Sequence, residues 1–106
     1  MFYFTQEPCG SHPTQGEGII EETGQAFYFR YRGGRASLTI SNDDKVAIGR
    51  EGSEGVARYY EQSVVSEDAM PIELVNTLVT AWLTLYLVEP RQHPALVAIQ
   101  RSSRWS

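Results

Sequence analysis

The chain has 106 residues, 42% of them hydrophobic and 21% charged, the balance of an ordinary globular protein with room for one domain and one modest core. A formal net charge of −4 argues against wholesale wrapping of nucleic acid. The single cysteine, Cys9, excludes an intramolecular disulfide framework and suits a reducing, cytoplasmic setting.

No charged segment leads into an apolar one at the start of the chain, so no signal peptide is expected. Residues 1–5 are apolar enough for an edge strand. Residues 6–18, QEPCGSHPTQGEG, have loop chemistry without periodicity, and a structureless loop of that length is uncommon in a compact domain unless it binds something. Residues 18–22 read as a strand. Thr23-Gly24 then reads as a tight turn that sets Ile20 opposite Phe27 and Glu17 opposite Arg30.

The centre of the pattern is residues 27–40, FYFRYRGGRASLTI. Two runs of aromatic and β-branched residues flank Gly33-Gly34, the signature of a hairpin with a two-residue turn. Because side chains alternate between faces, Phe27, Phe29, Tyr31, Ala36, Leu38 and Ile40 fall on one side. Tyr28, Arg30, Arg32, Arg35, Ser37 and Thr39 fall on the other. A slip of one residue would mix the two sets, so the pattern itself specifies the register. The wording of this hairpin resembles a short stretch found in small uncharacterised proteins of actinobacteria and their phages. The resemblance covers the hairpin alone; it implies a mobile-element origin and carries over no catalytic residue.

Asn42-Asp43-Asp44 reads as a third turn and residues 45–50 as a fourth strand, with Val46 opposite Ile40 and Ile48 opposite Leu38. Residues 51–55 form a glycine-rich break. Residues 56–65, VARYYEQSVV, suit either a strand or a helix, and their Tyr and Val content favours the strand. Acidic residues ahead of Pro71 mark a helix start, and Pro90 marks its stop, which predicts a helix over residues 71–88. That segment is shorter and more polar than a membrane span requires, so no membrane association is expected. Its apolar arc covers roughly 200°, wider than the ~100° that one sheet needs. Leu74, Leu78, Trp82 and Leu85 are therefore candidates for a helix interface, including a homodimer. Residues 95–99 and the Tyr59-Tyr60 segment are alternative covers. Residues 101–106 are expected to be a frayed tail.

These elements predict a single α+β domain: an antiparallel β-meander of about four strands packed on one long C-terminal helix. The expected core is Ile20, Phe27, Phe29, Leu38, Ile40, Val46, Ile48, Val75, Leu78, Val79 and Trp82.

No catalytic residue, metal or cofactor is expected. Cys9 and His12 form a lone C-x-x-H, and His93 is the only other histidine, whereas structural zinc wants four ligands. Nothing near Cys9 supplies an oxyanion hole or an orienting acid for a Cys-His pair. Of the adjacent carboxylates, Glu21-Glu22 are strand neighbours that point to opposite faces, while Asp43-Asp44 and Glu67-Asp68 sit at a turn and a helix start, where solvation is their ordinary fate. The glycines at 49, 52 and 55 match no phosphate-binding fingerprint. The informative surface is the outer hairpin face with Tyr28, Arg30, Arg32 and Arg35. It suits a solvated face with Arg30 paired to Glu17, a protein contact, or phosphates and a base stacked on Tyr28. The excess apolar width of the helix and an acid-rich surface, which can imitate nucleic-acid phosphates toward a basic partner, favour a small non-enzymatic protein-interaction module, of the kind a phage uses to block or adapt a host complex. Nucleic-acid binding through the arginine face is the alternative.

Overall fold

A computed structural model describes residues 1–10, 13–64 and 70–89 of the chain. Five strands precede one helix: β1 (Phe2–Cys9), β2 (Thr14–Ile20), β3 (Ala26–Arg32), β4 (Arg35–Ser41), β5 (Val56–Ser63) and α1 (Ile72–Val88). The strands pair antiparallel in sequential order, so the α+β meander is observed with five strands instead of about four.

The central hairpin has the predicted register, with Phe27 opposite Ile40, Phe29 opposite Leu38 and Arg32 opposite Arg35. Gly33 and Gly34 take positive φ of 59° and 76°, the conformation a two-residue hairpin turn demands and glycine supplies without steric cost. Phe27, Phe29, Tyr31, Ala36, Leu38 and Ile40 are all buried. They meet Val75, Leu78, Val79, Trp82, Leu83 and Tyr86 of α1 in one core. These helix residues recur at three- and four-residue spacing, which places them on one stripe. Burying side chains of this size contributes about 1.5–3 kcal/mol each, so a one-residue register slip, exposing the whole strand face, is strongly disfavoured.

Four expectations are corrected. Residues 6–18 are not a loop: β1 runs on to Cys9 and β2 begins at Thr14. Backbone pairing there does not depend on apolar alternation; β1 accommodates its Pro and polar residues with register shifts on either side of Gln6, as edge strands do. Gly16 and Gly18 pair with Phe29 and Phe27, and their missing side chains make room for their neighbours. A Cβ on Gly18 would lie 2.4 Å from the Phe27 ring and 2.4 Å from the Tyr3 carbonyl oxygen.

The β2–β3 register also differs, by two residues. Gly18, not Ile20, faces Phe27, and Gln15, not Glu17, faces Arg30. The turn takes four residues instead of two: Ile20 N–H donates to the Gln25 carbonyl at 2.9 Å, and Gly24 N–H donates to the Ile20 carbonyl at 2.7 Å. An even shift preserves the faces, and Ile20 remains fully buried.

Residues 45–50 do not form the fourth strand, and Val46 and Ile48 leave the predicted core, with Ile48 71% exposed. The partner of β4 is β5, which sets Tyr60 opposite Leu38. Residues 42–55 instead fold over the outer face of the sheet. Asp43 Oδ1 accepts the Lys45 N–H at 2.9 Å and bends the chain out of extension. Ser41 Oγ accepts the Ala47 N–H at 2.8 Å, and Thr39 Oγ1 donates to the Gly49 carbonyl at 2.9 Å. Thr39 is buried beneath this segment.

Within the predicted helix interface, Leu78 and Trp82 are buried against the sheet, Leu74 is half-buried, and Leu85 is exposed. The first two share the stripe of Val75 and Val79, so they are core rather than surface. Trp82 stacks on Tyr60, with ring centroids 6.1 Å apart and planes at 11°. Arg58 lies over the other part of this stack, 4.5 Å from the Tyr60 centroid. Glu89, at the helix C-terminus where an acid is unfavourable, accepts from Tyr60 at 2.7 Å and Arg58 at 3.3 Å. Burial first, and then the bond to Glu89, raise the Tyr60 phenol well above its ordinary value. The helix is tied to the sheet a second time by Gln25, whose Nε2 donates to the Ser41 carbonyl and to the Tyr86 hydroxyl at 2.9 Å each. The expectations for residues 95–99 and 101–106 lie outside the described residues.

Candidate functional site

The alternation of β3 puts Arg30 and Arg32 on the outer face, two residues apart, and both are exposed. Arg35 stands directly across from Arg32, and Ser37 across from Arg30. The next strand places Glu61 beside Ser37 and Tyr59 beside Thr39. The folded-over segment brings in Arg50. These side chains line an open depression of about 240 Å³.

One carboxylate organises its far wall. Glu61 Oε2 accepts from Arg35, Glu61 Oε1 accepts from the Tyr59 hydroxyl at 2.7 Å, and Arg50 approaches the same carboxylate at 3.8 Å. Arg50 also sits 5.9 Å from the centroid of the Tyr59 ring, within reach of a cation–π attraction. The bond from Tyr59, followed by that from Arg35, holds the Glu61 carboxyl below its ordinary value. Burial, followed by the bond to Glu61, raises the Tyr59 phenol. Arg30 and Arg32, by contrast, have no ion pair among the described residues. The expected Arg30–Glu17 pair is absent because the register shift puts Glu17 opposite Tyr28.

A second depression of about 190 Å³ adjoins the first and shares Arg30, Ser37, Arg50 and Tyr59 with it. Tyr28, Thr39, Ile48 and Gly49 complete it. The Tyr28 hydroxyl donates to Gln15 Oε1 at 2.7 Å, which lays the phenol toward β2. The outer face therefore presents arginine forks, two tyrosines and an exposed isoleucine side by side.

The structure thus brings all four predicted surface residues, Tyr28, Arg30, Arg32 and Arg35, to one place, and adds Arg50, Tyr59, Glu61 and Ile48. Tyr59 and Glu61 were accessible in principle: once residues 56–63 are read as a strand, both alternate outward. Arg50 and Ile48 arrive by a loop path that no periodicity encodes. Elsewhere, Cys9 is exposed as a free thiol, and His12 lies outside the described residues. Among the described residues no group of three or more His, Cys, Asp or Glu side chains is placed to hold a metal ion, and no helix is long and apolar enough to cross a membrane.

Comparison with protein-family models, curated proteins and solved structures gives no match to this chain.

Proposed function

We propose that this chain is a small non-enzymatic protein-interaction module that docks an acidic partner protein on the outer face of its sheet. The observation that carries this reading is the contiguity of Ile48, 71% exposed, with Tyr28 and the arginine cluster. Arginine and tyrosine beside an apolar side chain is the composition of a protein–protein contact centre. A phosphodiester strand has no use for an exposed isoleucine. The net charge of −4 also opposes long-range attraction of nucleic acid, while a local basic patch can still steer an acidic protein surface. An accessory or inhibitor acting on a larger host complex is in keeping with the mobile-element origin that the hairpin's resemblance implies.

The test is capture from the native host on the immobilised chain, run in parallel with an Arg30→Glu/Arg32→Glu variant and an Ile48→Ser variant. Both variants alter exposed positions and should fold. The expected result is a partner retained by the native chain, lost with either variant, and released as salt is raised. Identical captures by native chain and variants would overturn the reading. If the retained species disappears on nuclease treatment, the nucleic-acid alternative replaces it.

A further inference from the structure

Among the described residues, the arginine depression holds more positive charge than its carboxylates answer. Arg35 and Arg50 share Glu61, while Arg30 and Arg32 have no ion pair among the described residues. Arg32 and Arg35 also face each other across the hairpin, and like charges directly opposite on a sheet destabilise it. The Gly-Gly turn and the buried face specify this hairpin, and Arg35 has its pair in Glu61, so neither calls for a second arginine at position 32. An anion seated between them would remove the repulsion.

We propose that this depression binds a phosphate monoester carried on a side chain of the partner protein, a refinement that rests on the protein-docking reading above. Charge is the first reason. A monoester carries about −1.5 to −2 at neutral pH, which matches the two uncommitted guanidiniums; a carboxylate would leave one of them unanswered. Geometry is the second. Side chains two apart on a strand are separated by roughly 6.5 Å, so Arg30 and Arg32 flank a gap that Arg35 closes from the opposite strand. Planar guanidinium forks take phosphate oxygens in pairs, so the forks of Arg30 and Arg32, with Arg35 held by Glu61 across from Arg32, suit a tetrahedral group. Size is the third. At about 240 Å³ the depression is smaller than the ~300–1,000 Å³ of sites that enclose a drug-sized ligand. It takes a charged group and leaves the rest of its carrier outside, against Tyr28 and Ile48. Glu61 is a positioning residue: it holds Arg35 and Arg50 at the far wall and leaves Arg30 and Arg32 to meet the ligand.

The experiment is an NMR titration of the ¹⁵N-labelled full chain with four probes: inorganic phosphate, an acidic peptide with one phosphoserine, the same peptide with glutamate in its place, and an oligothymidylate. The phosphoserine peptide should shift the amide resonances of Arg30, Arg32, Arg35 and Ser37 and bind about tenfold or more tighter than the glutamate peptide. Inorganic phosphate should shift the same resonances with weaker affinity. Arg30→Gln with Arg32→Gln should weaken phosphopeptide binding about tenfold or more without lowering the thermal midpoint, since the repulsion between Arg32 and Arg35 is relieved. Equal binding of the glutamate peptide at these residues would overturn the phosphate assignment and leave the docking reading intact. Phosphate binding as tightly as the phosphopeptide would overturn the partner-borne source. Oligothymidylate binding tighter than the phosphopeptide would overturn both readings, and no shift at these residues with any probe would overturn the site itself.

Discussion

Replacing Gly18 by alanine tests how closely the inner face is fitted. The new methyl group would lie 2.4 Å from Cζ of Phe27, 2.7 Å from its Cε2 and 2.4 Å from the Tyr3 carbonyl oxygen. The carbonyl belongs to the backbone of β1 and cannot rotate away. The Phe27 ring is fully buried and held edge-to-face by Phe2 at 5.7 Å and Phe4 at 5.8 Å. Relief therefore means moving a strand or opening an aromatic triad. Overpacking of this kind costs about 1–3 kcal/mol, and each disturbed aromatic pair adds roughly 0.5–1.5 kcal/mol. The stiffer unfolded chain returns about 0.4–1 kcal/mol. A net loss of about 2 kcal/mol is expected, which lowers the thermal midpoint by roughly 10 °C for a domain of this size. Urea unfolding followed by circular dichroism and tryptophan fluorescence gives the value. The decisive comparison is the same substitution in a Phe27→Leu background, where the smaller side chain leaves room for the methyl group. The Gly18→Ala cost should there shrink by about 1 kcal/mol or more, a coupling that a double-mutant cycle resolves. Full stability of Gly18→Ala, or strict additivity with Phe27→Leu, would refute the claim that an absent side chain seats this ring.

Three other outcomes are expected. Ile48→Ser should change unfolding stability by no more than about 0.5 kcal/mol, whereas Leu38→Ala should cost about 2–5 kcal/mol; comparable losses at both positions would put Ile48 back in the core. Arg58→Met removes the partner that Glu89 shares with Tyr60 and should destabilise by about 1.5–3 kcal/mol, read from the urea midpoint; a neutral result would show that the clasp at the helix end contributes nothing. Because the folded state depresses the Glu61 pKa, its contribution is present at neutral pH and is lost as pH falls through the folded-state value, below the ordinary 4.5. Glu61→Gln should therefore flatten the acid limb of the stability profile and leave the slope near pH 7 unchanged; an unaltered acid limb would contradict the Tyr59–Arg35 pairing.

Residues 27–40 were readable because three signals agree there: the glycine pair, strict alternation and β-prone residue types. The helix was readable for a similar reason, with acids and Pro71 at one end and Pro90 at the other. Val46 and Ile48 misled because a two-residue alternation reports only compatibility with a strand. Which strand wins the edge of β4 depends on what else is available, and β5 offers Tyr60, whose ring reaches Trp82. Gly16 and Gly18 resembled loop residues because a glycine pressed against the β1 backbone or against the Phe27 ring has the same letter as a glycine in a turn. Of the site, the hairpin arginines followed directly from alternation, but the lack of an ion pair at Arg30 and Arg32 among the described residues did not. That depends on a register set by hydrogen bonds in the turn after β2.

That turn has a further bearing on the outer face. The number of residues held in the loop, four from Glu21 to Gly24, selects which β2 residue stands over Arg30. Tightening it to a two-residue turn at Thr23-Gly24, at constant chain length, would slide β2 by one full repeat, keep the greasy side inward, and bring the Glu17 carboxylate over the guanidinium. The face would then be silenced electrostatically without any arginine being replaced. A family of chains sharing this hairpin could thus tune its taste for anions by the turn-forming residues of a bend on the far side of the strand.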